Sequence, residues 1–269
     1  MVDKIGSRVL PVRIMLYTAL AMLLSLPLHL LFINRIHELL DLPSPTVLAE
    51  SLSSYITVIG VIYALMVGFT FQQAVERHRD LRNSLHREAG SLHNILLLSE
   101  VMQEGEAAPI VAQSVGDYVN SNLEVANPSD PRLTSAIHDL YGIIPHLNEL
   151  ASDDVDDEVD QVTLRAIHAE LREVSRAQAD RSAICYNRLP PAQWFSLWFL
   201  AFLLLMGFLL LDLESTIIES LLFTLVVGSV TVLMMIMVDL DKPLEGVWVV
   251  KSSALQWLLL EIERLKGNP

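Results

Sequence analysis

The chain has 269 residues, of which 52% are hydrophobic, yet it carries 32 acidic residues against 18 basic ones and a net charge of −14. So apolar and so acidic a composition does not describe one soluble domain; it describes apolar segments alternating with acidic ones. Basic patches with interleaved aromatics are absent, which excludes nucleic acid as a partner, and the single cysteine, Cys185, excludes an intrachain disulfide and a cysteine metal cluster.

In chain order, the first apolar run is Val12 to Ile33, preceded by Lys4, Arg8 and Arg13 and holding Pro27 as a kink position. It is too long for the apolar region of a signal peptide, and no small-x-small cleavage pattern follows, so it reads as a retained anchor. A second run, Ser53 to Val75, leads into "VERHRDLRNSLHREAGSLHNILLLSE" without an intervening proline. Phe71, Ala74, His78, Leu81, Leu85, Glu88, Leu92 and Ile95 recur at spacings of three and four, which predicts one packing seam along a helix. Extended backwards, the same repeat gives Ser53, Thr57, Gly60, Ala64 and Val67, a stripe of mostly small residues suited to close helix approach in a membrane. The expectation is one helix of about 45 residues, roughly 70 Å, that leaves the bilayer unbroken.

The middle region, 76–191, reads as helical throughout. Pro131 after Asp130 suits the first position of a helix. A later helix from about Asp154 to Arg188 carries the apolar stripe Leu164, Ile167, Leu171 and Val174. Asp153, Asp154, Asp156, Asp157, Glu158 and Asp160 crowd its start, where the helix dipole favours anions. A calcium loop is the alternative, but the glycine and glutamate it needs at its sixth and twelfth positions are missing. Third and fourth apolar runs follow at Trp194 to Leu211 and Ile217 to Val238, with Trp194 and Trp198 at a belt position and Glu219 at the outer end of the last. The tail, 241–269, is amphipathic: Val247, Val250, Ala254, Leu258 and Leu265 share a side, and Trp248 and Trp257 are candidate interface anchors. It should lie on a membrane surface or pack in a bundle.

The fold class is therefore all-α: a polytopic membrane protein with four spanning helices and a helical bundle inserted between the second and third. Segmentation follows as 1–75, 76–191, 192–240 and 241–269. All of the 18 basic residues but Arg35 fall on one side of these spans, which makes that side, both termini included, cytoplasmic; a bacterial inner membrane fits this topology best, with an organellar one as the alternative.

Chemistry is sparse. GxSxG, Walker, GxGxxG and HExxH motifs are absent, so the sequence predicts no enzyme, no catalytic residue, no cofactor and no metal centre. His78, His86 and His93 share one helix side and read as solvated or interhelical, with metal binding or pH sensing as the alternative. Glu88 lies on the packing seam and needs a partner, expected to be an arginine of another helix. Ile59, Tyr63, Met66, Thr70, Gln73 and Arg77 share a face grading from apolar to positive. In an oligomer with that face inward they would line a pore with an apolar constriction and a basic mouth. A helix leaving any bilayer grades in the same way.

The segment "YALMVGF" running into "VERHRDLRNSLHREAGSL", with Glu88, Ala89 and Leu92 in a glutamate-alanine-x-x-leucine arrangement, resembles the bacterial bestrophin-like membrane proteins. So does "DLDKPLEGVWVV", with Asp241, Pro243 and Gly246 in an acid-x-proline-x-x-glycine arrangement. That family is of unknown function and related in outline to bestrophin anion channels. The resemblance implies a ring-like homo-oligomer in the lipid bilayer, with the second span at its axis and small anions such as chloride passing through. The competing expectation is a non-conducting scaffold whose acidic helical region binds a cytoplasmic protein.

Overall fold

The structure, a computed structural model, describes residues 3–40, 45–102, 107–124, 131–153, 158–211, 215–241 and 253–267. Nine helices and no strand occur among the described residues: α1 (Asp3–Leu40), α2 (Pro45–Val101), α3 (Ala108–Glu124), α4 (Pro131–Tyr141), α5 (Ile143–Asp153), α6 (Glu158–Tyr186), α7 (Pro191–Leu209), α8 (Thr216–Leu240) and α9 (Ser253–Gly267). Four helices are long and apolar enough to cross a membrane, and they correspond to α1, α2, α7 and α8. α2 is one continuous helix of 57 residues, longer than the expected 45, and α1 continues through Pro27.

Two compact units form, one from 1–76 with 188–249 and one from 77–187 with 250–269. In the first, α1 packs along α8 and α7 packs on α8. The contacts rest on small residues. A methyl group added at Gly207 of α7 would lie 2.9 Å from Ile56 and 3.0 Å from Tyr55 of α2, and one at Gly228 of α8 would lie 2.8 Å from the Met22 sulfur of α1. Helices in lipid associate by such close approach, because lipid supplies no hydrophobic drive. Pro191 opens α7, its missing N–H costing nothing at that position. Just before it, the Leu189 N–H donates to Asp241 Oδ1 at 2.9 Å. That bond gives Asp241 of the family-like motif a structural role; Pro243 and Gly246 lie outside the described residues.

The second unit is built the way soluble bundles are. Leu81, Leu85, Leu92 and Ile95 of α2 are buried, and so are Ile167, Leu171 and Val174 of α6, as the spacing predicts. Phe71, the first member of the seam, is exposed instead. α6 is the strut: Ser84 Oγ of α2 donates to its Ala177 carbonyl, Tyr141 of α4 donates to its Leu171 carbonyl, and its own Gln178 donates to the Leu133 carbonyl. α9 packs on α3 through buried Leu255, Leu258 and Ile262, so the bundle-packing alternative for the tail is the one adopted. Trp257 is exposed and sets its ring edge-on to His93, while Val247, Trp248 and Val250 lie outside the described residues.

Only part of the small stripe expected on α2 lies on its packed face: Val67 packs against an apolar cluster that includes Tyr63 and Leu204, and a methyl group added at Gly60 would lie 3.7 Å from Leu204. Ser53, Thr57 and Ala64 are exposed, and Tyr63 and Thr70 are buried instead. A strict seven-residue repeat falls behind a straight helix by about 20° per heptad, so carrying the Leu85 seam back four heptads to Thr57 rotates it about 80° off the packed side.

Candidate functional site

The face proposed from sequence to line a pore is occupied within the single chain. Tyr63 is 4% exposed and joins Leu197, Ala201, Leu204, Val230 and Met234 in an apolar cluster, with Ile59 and Met66 packed against it. Thr70 is fully buried and accepts a hydrogen bond from Gln193 Nε2 at 2.9 Å, and the same nitrogen lies 3.0 Å from Gln73 Oε1. In the other unit, Arg77 donates to the Asn187 carbonyl at 2.7 Å. Ile59, Tyr63, Met66, Thr70, Gln73 and Arg77 are thus held by the chain's own side chains and backbone. Within this single chain, α7 and α8 supply the side chains that cover this face of α2 at mid-span.

The side of α2 left open holds Val61, Leu65 and Phe69, at 54%, 56% and 61% exposure, spaced four apart. On the same side, toward the helix end, Gln72, Glu76 and Arg79 are exposed, and Ser54 is exposed one turn before Val58. This stripe is polar at both ends and apolar between.

A second arrangement surrounds Glu88, which is fully buried, with Ala89 and Leu92 buried beside it. Tyr118 of α3 donates its hydroxyl to Glu88 Oε1 at 2.7 Å, and Arg181 Nη1 of α6 sits 3.3 Å from Oε2. Arg181 Nη2 donates to Asn122 Oδ1, and Asn122 Nδ2 donates back to the Tyr118 carbonyl at 2.9 Å, closing the network. The Nη1 contact is an ion pair without hydrogen-bond alignment. Burial pushes the Glu88 carboxyl above its ordinary 4.5, against the opposing pull of Arg181 and of the Tyr118 hydroxyl. Burial and then the Glu88 charge raise the Tyr118 phenol well above 10.0, and burial raises the Cys185 thiol above 9.0. The arrangement offers no nucleophile and no open substrate space; it is a three-helix clamp. The sequence showed that Glu88 needed an arginine but not which one. The signal was available, since Gln178 and Arg181 continue the α6 stripe of Leu171 and Val174 at the same spacing.

The histidines do not converge. His86 is exposed, His93 lies against Trp257, and both border a groove of about 400 Å³ with Ala89, Gly90, Ser253 and Ala254. No group of three metal-ligating side chains occurs among the described residues. Of the acidic run, 154–157 lie outside the described residues, and Asp160 is buried rather than solvated.

Sequence reasoning missed one polar cluster, between α1 and α8. His29 Nδ1 lies 3.0 Å from Ser220 Oγ, and its Nε2 lies 3.4 Å from Glu219 Oε1, both residues being almost wholly enclosed. The rule that singled out Glu219, an ionisable group inside an apolar span, applies equally to His29 in "LSLPLHLL".

The comparisons with known proteins bear on both units at once. The profile of the Bestrophin-like domain matches residues 21–255. The chain belongs to the bestrophin-like domain family. Solved structures carry the same fold at low sequence identity. A bacterial bestrophin homolog from Klebsiella pneumoniae superposes with a TM-score of 0.75 at 11% identity, over 93% of this chain and 99% of that one. A mutant form of the same homolog gives 0.68 at 13% identity, over 92% and 98%. A crystallised membrane protein gives 0.74 at 11% identity, over 94% and 99%. No curated protein matches the sequence significantly. This bestrophin-like chain is a membrane protein with the bestrophin fold, and at such identities the structural likeness speaks for the fold alone.

Proposed function

We propose that this bestrophin-like protein is an oligomeric channel of a bacterial inner membrane that conducts small anions passively, with α2 from each copy at the axis. The observation that carries the reading is the open stripe Val61, Leu65 and Phe69 on α2. Of the four apolar helices, α2 alone runs on within the same helix into a charged, helical unit. Its stripe can therefore supply an apolar constriction followed by polar and charged positions, and such constrictions gate by dewetting. Arg79 and Arg82, both exposed, replace Arg77 as the residues that would favour anions at the mouth. The asymmetry of lysine and arginine supports cytoplasmic termini and a cytoplasmic placement of 76–191 and 241–269.

Halide flux into liposomes holding the purified protein tests this. Replacing Arg79 and Arg82 together by glutamate is expected to abolish the preference for halide over alkali cations. A folded, oligomeric preparation without flux overturns the reading and favours the non-conducting scaffold with a cytoplasmic protein partner.

A further inference from the structure

The groove of about 400 Å³ between α2 and α9 lies within the second unit. Its small lining residues are Ala89 and Gly90 on one helix and Ser253 and Ala254 on the other. A methyl group added at Gly90 would meet nothing within 4 Å, so the backbone there borders open space. His86 and His93 flank that stretch, seven residues or about 10 Å apart along α2. Trp257 stands edge-on to His93, with ring centroids 5.3 Å apart, and half of its side chain stays uncovered. His93 Nδ1 is closed off and has no hydrogen-bond partner among the described residues, which leaves Nε2 as the nitrogen that meets a ligand.

The charge of this lining departs from that of the chain. In a protein with 32 acidic residues and a net charge of −14, none of the lining side chains is acidic and two are imidazoles. Arg82, exposed, lies one turn before His86 on the same side of α2. Glu261, one turn beyond Trp257 on α9, is paired with Arg264 at 3.6 Å. The neighbouring groove between α2 and α6, by contrast, has Asp80 and Asp180 beside Arg87.

We propose that the groove between α2 and α9 binds a small planar aromatic carboxylate. Its volume falls in the lower part of the range for small-ligand sites, about 300–1,000 Å³. A flat ring fits over the small residues and against the open part of the Trp257 indole, since aromatic rings pair in offset or edge-on arrangements. Imidazole N–H groups donate to a carboxylate, most strongly when the imidazole is protonated, and Arg82 adds positive charge beside His86. A cation over the indole face would find no acidic side chain in the lining to balance it, which decides the sign of the ligand.

The test uses the full-length protein in lipid nanodiscs, with Trp194→Phe, Trp198→Phe and Trp248→Phe combined so that Trp257 is the one remaining tryptophan. The probes are 4-nitrobenzoate and its neutral counterpart 4-nitrobenzamide, whose rings quench indole emission on contact. Quenching by the acid is expected to saturate, with an affinity roughly tenfold or more above that of the amide, because only the acid makes a charged hydrogen bond. His86→Ala should weaken the acid by a similar factor. Gly90→Leu fills the open space without displacing a neighbour, and should abolish saturation while the helical circular dichroism is kept. Asn83→Leu, in the neighbouring groove, should leave the binding intact. Quenching that never saturates, equal affinity for acid and amide, or saturation that survives Gly90→Leu overturns the proposal.

Discussion

Glu88 and Glu219 are both enclosed carboxylates, 0% and 3% exposed, and the two units treat them differently. In the helical bundle Glu88 faces Arg181, a permanent cation, and Tyr118 and Asn122 complete the network from a third helix. Between α1 and α8, Glu219 lies 3.4 Å from His29 without hydrogen-bond alignment. A fixed cation tied into a hydrogen-bonded network makes a clamp, and an unaligned imidazole contact holds its two helices less firmly. The surrounding packing differs in the same sense: leucine and isoleucine stripes in the bundle, glycine contacts among the apolar helices.

The largest effect expected from this contrast is at Arg181. Removing one partner of a buried pair strands the other, so Arg181→Met should cost about 3–5 kcal/mol. His29→Ala should cost only about 1 kcal/mol, in keeping with interhelical polar contacts in membranes. Denaturant unfolding followed by circular dichroism compares the two, and equal losses would erase the distinction between the clamp and the unaligned contact. Next come the glycines. Gly207→Leu or Gly228→Leu should destabilise by about 1–3 kcal/mol through overpacking, in the same assay. Gly90, with open space around its added methyl, should accept alanine without strain from packing.

The pH dependence of the bundle sharpens the comparison further. Burial raises the Glu88 carboxyl, so the folded chain keeps this proton at pH values where the unfolded chain has lost it. The unfolded state then binds fewer protons, and stability falls as pH rises from the ordinary value of 4.5 to the raised folded value, then levels off. Unfolding midpoints measured across that window should decline in the wild type and lose this component in Glu88→Gln. The smallest effect is at the surface: Arg87, half exposed and paired with Asp180 at 3.0 Å, should lose less than about 1 kcal/mol on change to Gln.

Periodicity carried most of the bundle, because a leucine repeat states which side of a helix is inward. It showed Leu85, Glu88, Leu92 and the α6 stripe directly. It failed on the membrane part of α2, where every side is apolar and hydrophobicity no longer separates packed from open faces. There the packed side is decided by partners, namely Leu204, Ala201 and Gln193, that lie over a hundred residues away in sequence. Tyr63 and Thr70 therefore read as pore residues although both are buried within the single chain, and the glycines that seat α7 and α8 carried no periodic signal. His29 was legible and was passed over, a single ionisable side chain amid leucines.

The account turns on which face of α2 is open to a conduction path, and halide flux in liposomes measured on two variants side by side tests this most directly. Phe69→Ala, on the open stripe, is expected to raise flux, whereas Met66→Ala, on the face packed against the Leu197 and Leu204 cluster, should leave it unchanged in a folded preparation. The reverse pattern, flux altered by Met66→Ala and indifferent to Phe69→Ala, would contradict the account and return the axis to the packed face.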